Sequence, residues 1–209
     1  MIKIGIPAQD QPENKFGVNT NYLRFIYQFG HPVVILPETY DNFSQIYKLD
    51  ALLLPGGADV NTHRYSNTPD YGTYNSNNFL EHFDTEILPK LIGEMPIFGI
   101  CRGLQTLNVL FGGTLKNLWF HPYSINDTDT VHKIYVSGEK KPLKVNSFHH
   151  QAIGKLAGNL TKEAQSEDLS ESIIEAISDH KKHIFAVQWH PERLLDEYSV
   201  NNFKKILGL

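Results

Sequence analysis

Short apolar runs recur along the chain, each cut off by Gly or Pro or by a polar stretch. Residues 2–7 (IKIGIP), 32–37 (PVVILP), 50–54 (DALLL) and 96–100 (PIFGI) are of this kind. Runs this short suit strands, and near-continuous apolarity suits strands covered on both faces. Helical spacing lies between several of them. Residues 19–30 carry Tyr22, Leu23, Phe25, Ile26, Tyr27 and Phe29 before Gly30. Residues 80–92 put Phe83, Ile87, Leu88 and Leu91 on one face, with Pro89 awkward inside the pattern, and residues 104–110 form a helix closed by Gly112-Gly113. Strands alternating with helices predict an α/β fold with a mainly parallel central sheet.

The third quarter departs from this pattern. Residues 114–145 are rich in polar and turn residues, with one alternating piece at 131–136, and predict loops and short antiparallel strands beside the sheet. Residues 172–177 and 183–189 read as two late strands around a turn at 178–182, and 200–207 as a closing helix. No internal repeat is visible. A length of 209 residues fits a single domain, 1–209.

Nineteen Lys and Arg against 23 Asp and Glu give a net charge of −4, which offers no basic face for nucleic acid or an anionic membrane. Cys101 is the one cysteine, so no disulfide forms within the chain and a reducing, cytoplasmic setting is expected. The N-terminal MIKIGIPAQ lacks the apolar core and cleavage site of a signal peptide, and no apolar stretch is long enough to span a bilayer. The Asn-x-Ser/Thr triplets at Asn42, Asn126 and Asn159 read as chance in an Asn-rich chain.

The strongest local signal is Gly99-Ile100-Cys101-Arg102-Gly103, after an apolar strand and before a helix. This is a nucleophile elbow with Cys in place of Ser. The glycines allow a sharp turn, and the helix N-terminus favours thiolate over thiol. Outside that context a lone cysteine reads as an ordinary buried thiol. Near the end of the chain, His190 and Glu192 flank Pro191. On an extended backbone both point the same way, so the carboxylate can orient an imidazole whose other nitrogen faces the thiol. In Leu54-Pro55-Gly56-Gly57-Ala58-Asp59 a strand ends in a Gly-Gly turn. The Gly57 and Arg102 N–H groups are the expected oxyanion donors, although the turn by itself is equally an ordinary one. Gln105 lies one helical turn after Cys101 and within reach of a substrate there; an isolated Gln is by default a surface residue. Residues 145–151 (VNSFHHQ) suit a substrate-binding loop. Their adjacent His149 and His150 raise metal binding, but neighbours rarely share one metal, and His63, His180 and His183 are scattered, so no metal is expected.

Taken together, LLLPGGADV at 52–60, PIFGICRGLQTLNVLFGGTL at 96–115, VNSFHHQAI at 145–153 and FAVQWHPE at 185–192 resemble the class I glutamine amidotransferase-like superfamily. Within it, Cys-Arg-Gly, Gly-Gly-Ala-Asp-Val and Asn-Ser-Phe-His-His-Gln resemble the peptidase C26 branch, that of the gamma-glutamyl-gamma-aminobutyrate hydrolases. The resemblance implies a flavodoxin-like sheet, Cys101 as nucleophile, His190 as base, Glu192 as orienter, and Gly57 and Arg102 as oxyanion hole. It also implies that Gln105 and the Ser147–Phe148 backbone hold the two ends of a glutamyl group, and that no cofactor is needed. The chain departs from the branch in a short 113–146 stretch and a polar 61–74 stretch, which would shape the leaving-group pocket.

The implied activity is hydrolysis of a small gamma-glutamyl amide through a glutamyl thioester. The alternative is a glutaminase subunit that passes ammonia to a separate synthase in trans. A non-catalytic protein on the same scaffold is disfavoured by the intact Cys101, His190 and Glu192. The sequence leaves the amine and the oligomeric state open.

Overall fold

The computed structural model describes residues 1–11, 13, 15–36, 46, 48–66, 78–167 and 172–209. In chain order its elements are β1 (Lys3–Pro7), β2 (Gln9–Gln11), β3 (Lys15–Gly17), α1 (Thr20–Ile26), β4 (His31–Ile35) and β5 (Ala51–Leu54). A short 3-10 turn, Thr62–Arg64, precedes α2, which runs through Asn78–His82, a π-helical turn Phe83–Ile87 and Leu88–Leu91. Next come β6 (Ile97–Ile100), α3 (Arg102–Leu110), β7 (Thr114–Asn117), β8 (His132–Val136), β9 (Leu143–Val145), β10 (Gln151–Lys155), β11 (Thr161–Glu167) and β12 (Ser172–Asp179). The chain closes with β13 (Ile184–Val187), α4 (Pro191–Leu194) and α5 (Glu197–Leu207).

Among the described residues a nine-stranded sheet runs β4-β1-β5-β6-β13-β12-β11-β8-β9. From β4 to β13 every pairing is parallel; from β13 onward every pairing is antiparallel. The expected antiparallel strands of the third quarter therefore extend the main sheet, while β7 and β10 form a ribbon of their own.

The apolar runs of the sequence work as strands with two buried faces. Along β5, Ala51 and Leu53 join Phe98 and Ile100 in one core, where α1 and α5 pack through Phe25, Ile26 and Phe203. Leu52 and Leu54 point the other way, toward Ile97, the α2 residues Phe83 and Ile87, and Leu104 and Leu107 of α3. This is the period-two alternation of a strand, here with apolar residues on both sides. β4 differs from expectation. It is a half-exposed edge strand, and Pro37 lies outside the described residues. Its Pro32 is tolerated because His31 and Val33, not Pro32, turn their N–H groups toward β1.

The helix ends follow local chemistry. Asn19 caps α1 by accepting from the Asn21 N–H at 2.9 Å, and Asp196 caps α5 by accepting from the Ser199 N–H at 2.8 Å. Pro89 has no N–H to donate, and its ring would crowd the carbonyl of Thr85, four residues back. The wide turn at Phe83–Ile87, where the Leu88 N–H reaches the Phe83 carbonyl, loosens the helix just ahead of it.

Phe203 fastens α5 to the sheet. It is fully buried, with its ring 4.6 Å from both Phe29 and Phe98 and stacked on Phe25 at 5.9 Å. Phe203→Ala should lower the unfolding free energy by about 3–5 kcal/mol. A urea titration that finds a loss under about 1 kcal/mol would mean that the helix is held elsewhere.

Candidate active site

Three adjacent parallel strands, β5, β6 and β13, end at the same edge of the sheet. Their exits deliver Gly56-Gly57, Cys101 and Gln188 to His190. Cys101 sits between β6 and α3 at φ 54°, ψ −105°, a conformation that side chains other than glycine rarely adopt. Its N–H donates to the Val187 carbonyl at 2.8 Å, tying the turn to β13. The flanking glycines do not supply the turn, as the sequence suggested; Cys101 itself takes the strained angle. They permit close packing instead. A Cβ on Gly99 would stand 2.9 Å from that of Ala186, and one on Gly103 would collide with the Leu54 carbonyl oxygen.

His190 and Glu192 meet, but not on an extended backbone. β13 has already ended, and His190 is the N-cap of α4 with Pro191 in the first helical position. The start of the helix folds Glu192 back, so that the His190 Nδ1 lies 2.7 Å from its Oε1. Asn146 braces the histidine from both sides. Its Oδ1 accepts from the His190 N–H at 2.8 Å, and its Nδ2 donates to the His190 carbonyl at 3.1 Å. The His190 ring is also hydrogen-bonded to the Cys101 sulfur. Burial alone would lower the pKa of His190. The charges of Glu192 and Cys101, with the hydrogen bonds to both, outweigh it and raise the value from 6.5 to about 10. The imidazole is therefore held as imidazolium at neutral pH.

Two further residues, which sequence reasoning missed, touch this group. The Gln188 amide donates to the Cys101 sulfur at 3.6 Å. Tyr22 of α1 accepts the Gly56 N–H at 2.9 Å through its hydroxyl. Burial, and then the nearby charges of Glu192 and Cys101, push the Tyr22 phenol well above its usual range, so it stays neutral. Tyr22 read in sequence as one more apolar-face residue of a helix, and Gln188 as part of a strand.

Gly56 lies between these groups. A Cβ there would stand 2.8 Å from the Tyr22 hydroxyl and 2.9 Å from the His190 ring. The Gly56 carbonyl accepts from the Gln9 amide. In a trans peptide the following N–H, that of Gly57, points away from that carbonyl. Arg102 is the first residue of α3, where a backbone N–H has no partner within the helix. Its side chain is committed elsewhere, 2.7 Å from Asp84 and 2.9 Å from Glu81.

The expected substrate residues are placed as follows. Gln105 is buried, and its Nε2 donates to the Gln151 carbonyl at 3.0 Å and to the Gln188 Oε1 at 3.3 Å. It thus supports the amide that faces the sulfur. The Ser147 backbone is taken at both ends by Ser124, N–H to Oγ at 2.9 Å and carbonyl from N–H at 2.8 Å. Phe148 puts its ring edge-on to His190 at 5.6 Å and beneath the Arg193 guanidinium at 4.1 Å. Of the adjacent histidines, His150 pairs with Asp59 at 2.9 Å, joining the 55–59 turn to the 146–151 segment. The polar 61–74 stretch lies outside the described residues from 67 onward.

His149 turns the other way, into a buried group with His121, His132 and Glu175. Burial lowers its pKa from 6.5 to about 3, keeping it neutral. Burial would raise the Glu175 pKa, but the hydrogen bond from His132, helped by the neighbouring histidines, outweighs that and lowers it.

The peptidase C26 family profile matches residues 4–192. The chain belongs to the peptidase C26 family. Among its relatives, the "Putative glutamine amidotransferase-like protein YvdE" of Lactococcus lactis is 35% identical, over 90% of this chain and 89% of its own length. The gamma-glutamyl-gamma-aminobutyrate hydrolase PuuD of Escherichia coli is 30% identical, over 86% and 80%. A solved "putative gmp synthase subunit a protein" of Thermoplasma acidophilum superposes with a TM-score of 0.69 at 22% identity, over 100% of this chain and 93% of its own. That likeness establishes a class I glutamine amidotransferase-like fold. No helix among the described residues is long and apolar enough to cross a membrane.

A raised His190 pKa couples folding to a proton. Between about pH 6.5 and 10 the native state holds more protons than the unfolded chain. The contribution is complete below about 6.5 and is lost as the pH rises through 10. The unfolding free energy from urea titrations should therefore fall from neutral to alkaline pH, and His190→Gln should flatten the fall. An equal slope in the variant would assign the dependence to other groups.

Proposed function

We propose that the protein is a cysteine hydrolase that cleaves the gamma-glutamyl amide bond of a small gamma-glutamyl amine through a glutamyl thioester. The observation that carries this reading is Cys101, held in its elbow against His190, which is itself fixed by Glu192 at 2.7 Å. Membership of the C26 family and the relative named as a gamma-glutamyl-gamma-aminobutyrate hydrolase support the choice of bond.

In this reading the thiolate attacks the gamma-carbonyl carbon and forms the C–S bond, and the carbonyl π pair moves onto oxygen. The N–H groups of Gly57 and Arg102 receive the oxyanion, each worth roughly 3–4 kcal/mol at the transition state. His190, as imidazolium, gives its Nε2 proton to the departing amine as the C–N bond breaks. Two of the influences that raise the His190 pKa, the sulfur's charge and its hydrogen bond, then vanish in the neutral thioester. With those gone its pKa falls, so the histidine stays neutral after giving up its proton and its Nε2 is free to accept one from the attacking water. The resulting hydroxide adds to the thioester, and collapse releases glutamate and the Cys101 thiolate. The hydrogen bonds of Gln105 favour a positioning role through Gln188, and those of Ser147 favour an internal brace, leaving Phe148 and the 146–150 segment beside the substrate.

The test is glutamate release from glutamine, gamma-glutamyl-GABA, other gamma-glutamyl amines and a gamma-glutamyl dipeptide, by purified protein alone. Turnover of one gamma-glutamyl amine, absent in Cys101→Ala, is expected. Turnover that persists in Cys101→Ala overturns the assignment. Slow glutamine hydrolysis alone, accelerated by a synthase, would favour the glutaminase subunit suggested by the amidotransferase-like relative. Glu192→Gln should reduce kcat less than His190→Ala, because the carboxylate orients and the imidazole transfers protons; an equal or larger loss would reverse those roles.

A further inference from the structure

The backbone N–H of Gln188, whose side chain faces the Cys101 sulfur, donates to the carbonyl of Glu175 at 2.7 Å. Glu175 lies on β12 with no exposed surface, and no Lys or Arg pairs with it among the described residues. Its Oε1 accepts from the His132 Nε2 at 3.1 Å and from the Ser166 hydroxyl at 2.9 Å. Its Oε2 is buried without a hydrogen-bond partner among the described residues.

His149 presents a matching atom. Its Nδ1 lies 3.1 Å from the Gln151 carbonyl, which can only accept, so Nδ1 carries the proton. Nε2 is then the lone-pair nitrogen, and it too is buried without a hydrogen-bond partner among the described residues. His121 completes the group, with its ring 4.5 Å from that of His149. One ligating atom from each of His121, His149 and Glu175 lies within 4.8 Å of the other two. A lone-pair nitrogen and a carboxylate oxygen, both desolvated and without a hydrogen-bond partner among the described residues, are costly to bury unless a cation joins them.

We propose that His121, His149 and Glu175 bind a divalent transition-metal ion, zinc by donor chemistry, at a site separate from Cys101. Two imidazoles and one carboxylate with a fourth position for water form a familiar zinc set. Tetrahedral zinc needs donors about 3.3 Å apart, a closure within reach of side-chain rotation. The outer contacts expected of such a site are already made. The His149 Nδ1–H is donated to a backbone carbonyl, and Glu175 is steadied by His132 and Ser166. The ion would staple β12 to the segment carrying His121 and to the 146–150 segment that runs past His190. Spacing alone could not assemble this set, since its three members lie far apart in sequence.

The test uses the full chain carrying Cys101→Ala, which removes the competing thiol, after stripping with a chelator. Co2+ and Zn2+ are then titrated in. One equivalent per chain is expected, with the visible band of a four-coordinate nitrogen–oxygen cobalt site and a rise in Tm. Glu175→Gln and His149→Gln should weaken uptake at least 100-fold, and His132→Asn about 10–100-fold. If Glu175→Gln fails to fold by circular dichroism, His121→Asn, on a loop, reads the same ligand set. No stoichiometric uptake by the folded Cys101→Ala protein would overturn the proposal. So would uptake untouched by the ligand variants, or uptake by wild type that Cys101→Ala abolishes.

Discussion

The close approach of α3 to the sheet sets everything at this site. Gly103 rests against the Leu54 carbonyl and Gly99 against Ala186, with no room for a side chain at either. With the helix pressed onto β5 and β6, the residue between them has no relaxed path from strand to helix. Cys101 absorbs the turn at φ 54°, and the hydrogen bond from its N–H to Val187 holds it there. Such a conformation costs of order 1–3 kcal/mol and persists because the packing on both sides over-determines it. In return the sulfur stands clear of the sheet edge, in line with the strand exits on either side.

Those neighbouring exits provide the electrostatics. β13 hands the chain to a short helix whose first turn folds Glu192 onto His190, and β5 hands it to a glycine turn held by Gln9 and Tyr22. The imidazole is a buried charge, tolerable only because a carboxylate and a sulfur flank it. Asn146 fixes its backbone, and Gln105 holds Gln188 against the sulfur. Each of these groups is thus positioned by a polar residue from a different part of the chain.

The order of the strands and helices was legible in sequence because short apolar runs and helical spacing are local signals. The segment from 96 to 110 declared strand, elbow and helix together, and the distant pair His190 and Glu192 was found by residue type. What stayed hidden was long-range or angular. Tyr22 looks like any apolar-face residue until Gly56 is folded against its hydroxyl. Gln105 sits one turn from Cys101 as expected, yet its amide is spent on Gln151 and Gln188, which lie 46 and 83 residues away in the chain. His149 and His150 are neighbours in sequence but face opposite partners, Asp59 for one and the Glu175 group for the other. The His190–Glu192 contact was anticipated for the wrong backbone, since Pro191 begins a helix rather than ending a strand.

Pro32 has a consequence for how molecules of this protein meet. It stands in β4, one of the two edge strands among the described residues, where His31 turns its N–H inward to the carbonyl of Ile2 and the next position faces outward. An added strand from another copy would look there for a donor and find a ring carbon. The half-exposed margin, with Val34 and Leu36 open to solvent, is apolar enough to attract such a strand but lacks a hydrogen bond needed to register it. One imino acid thus makes this edge of the sheet a poor template for a further strand.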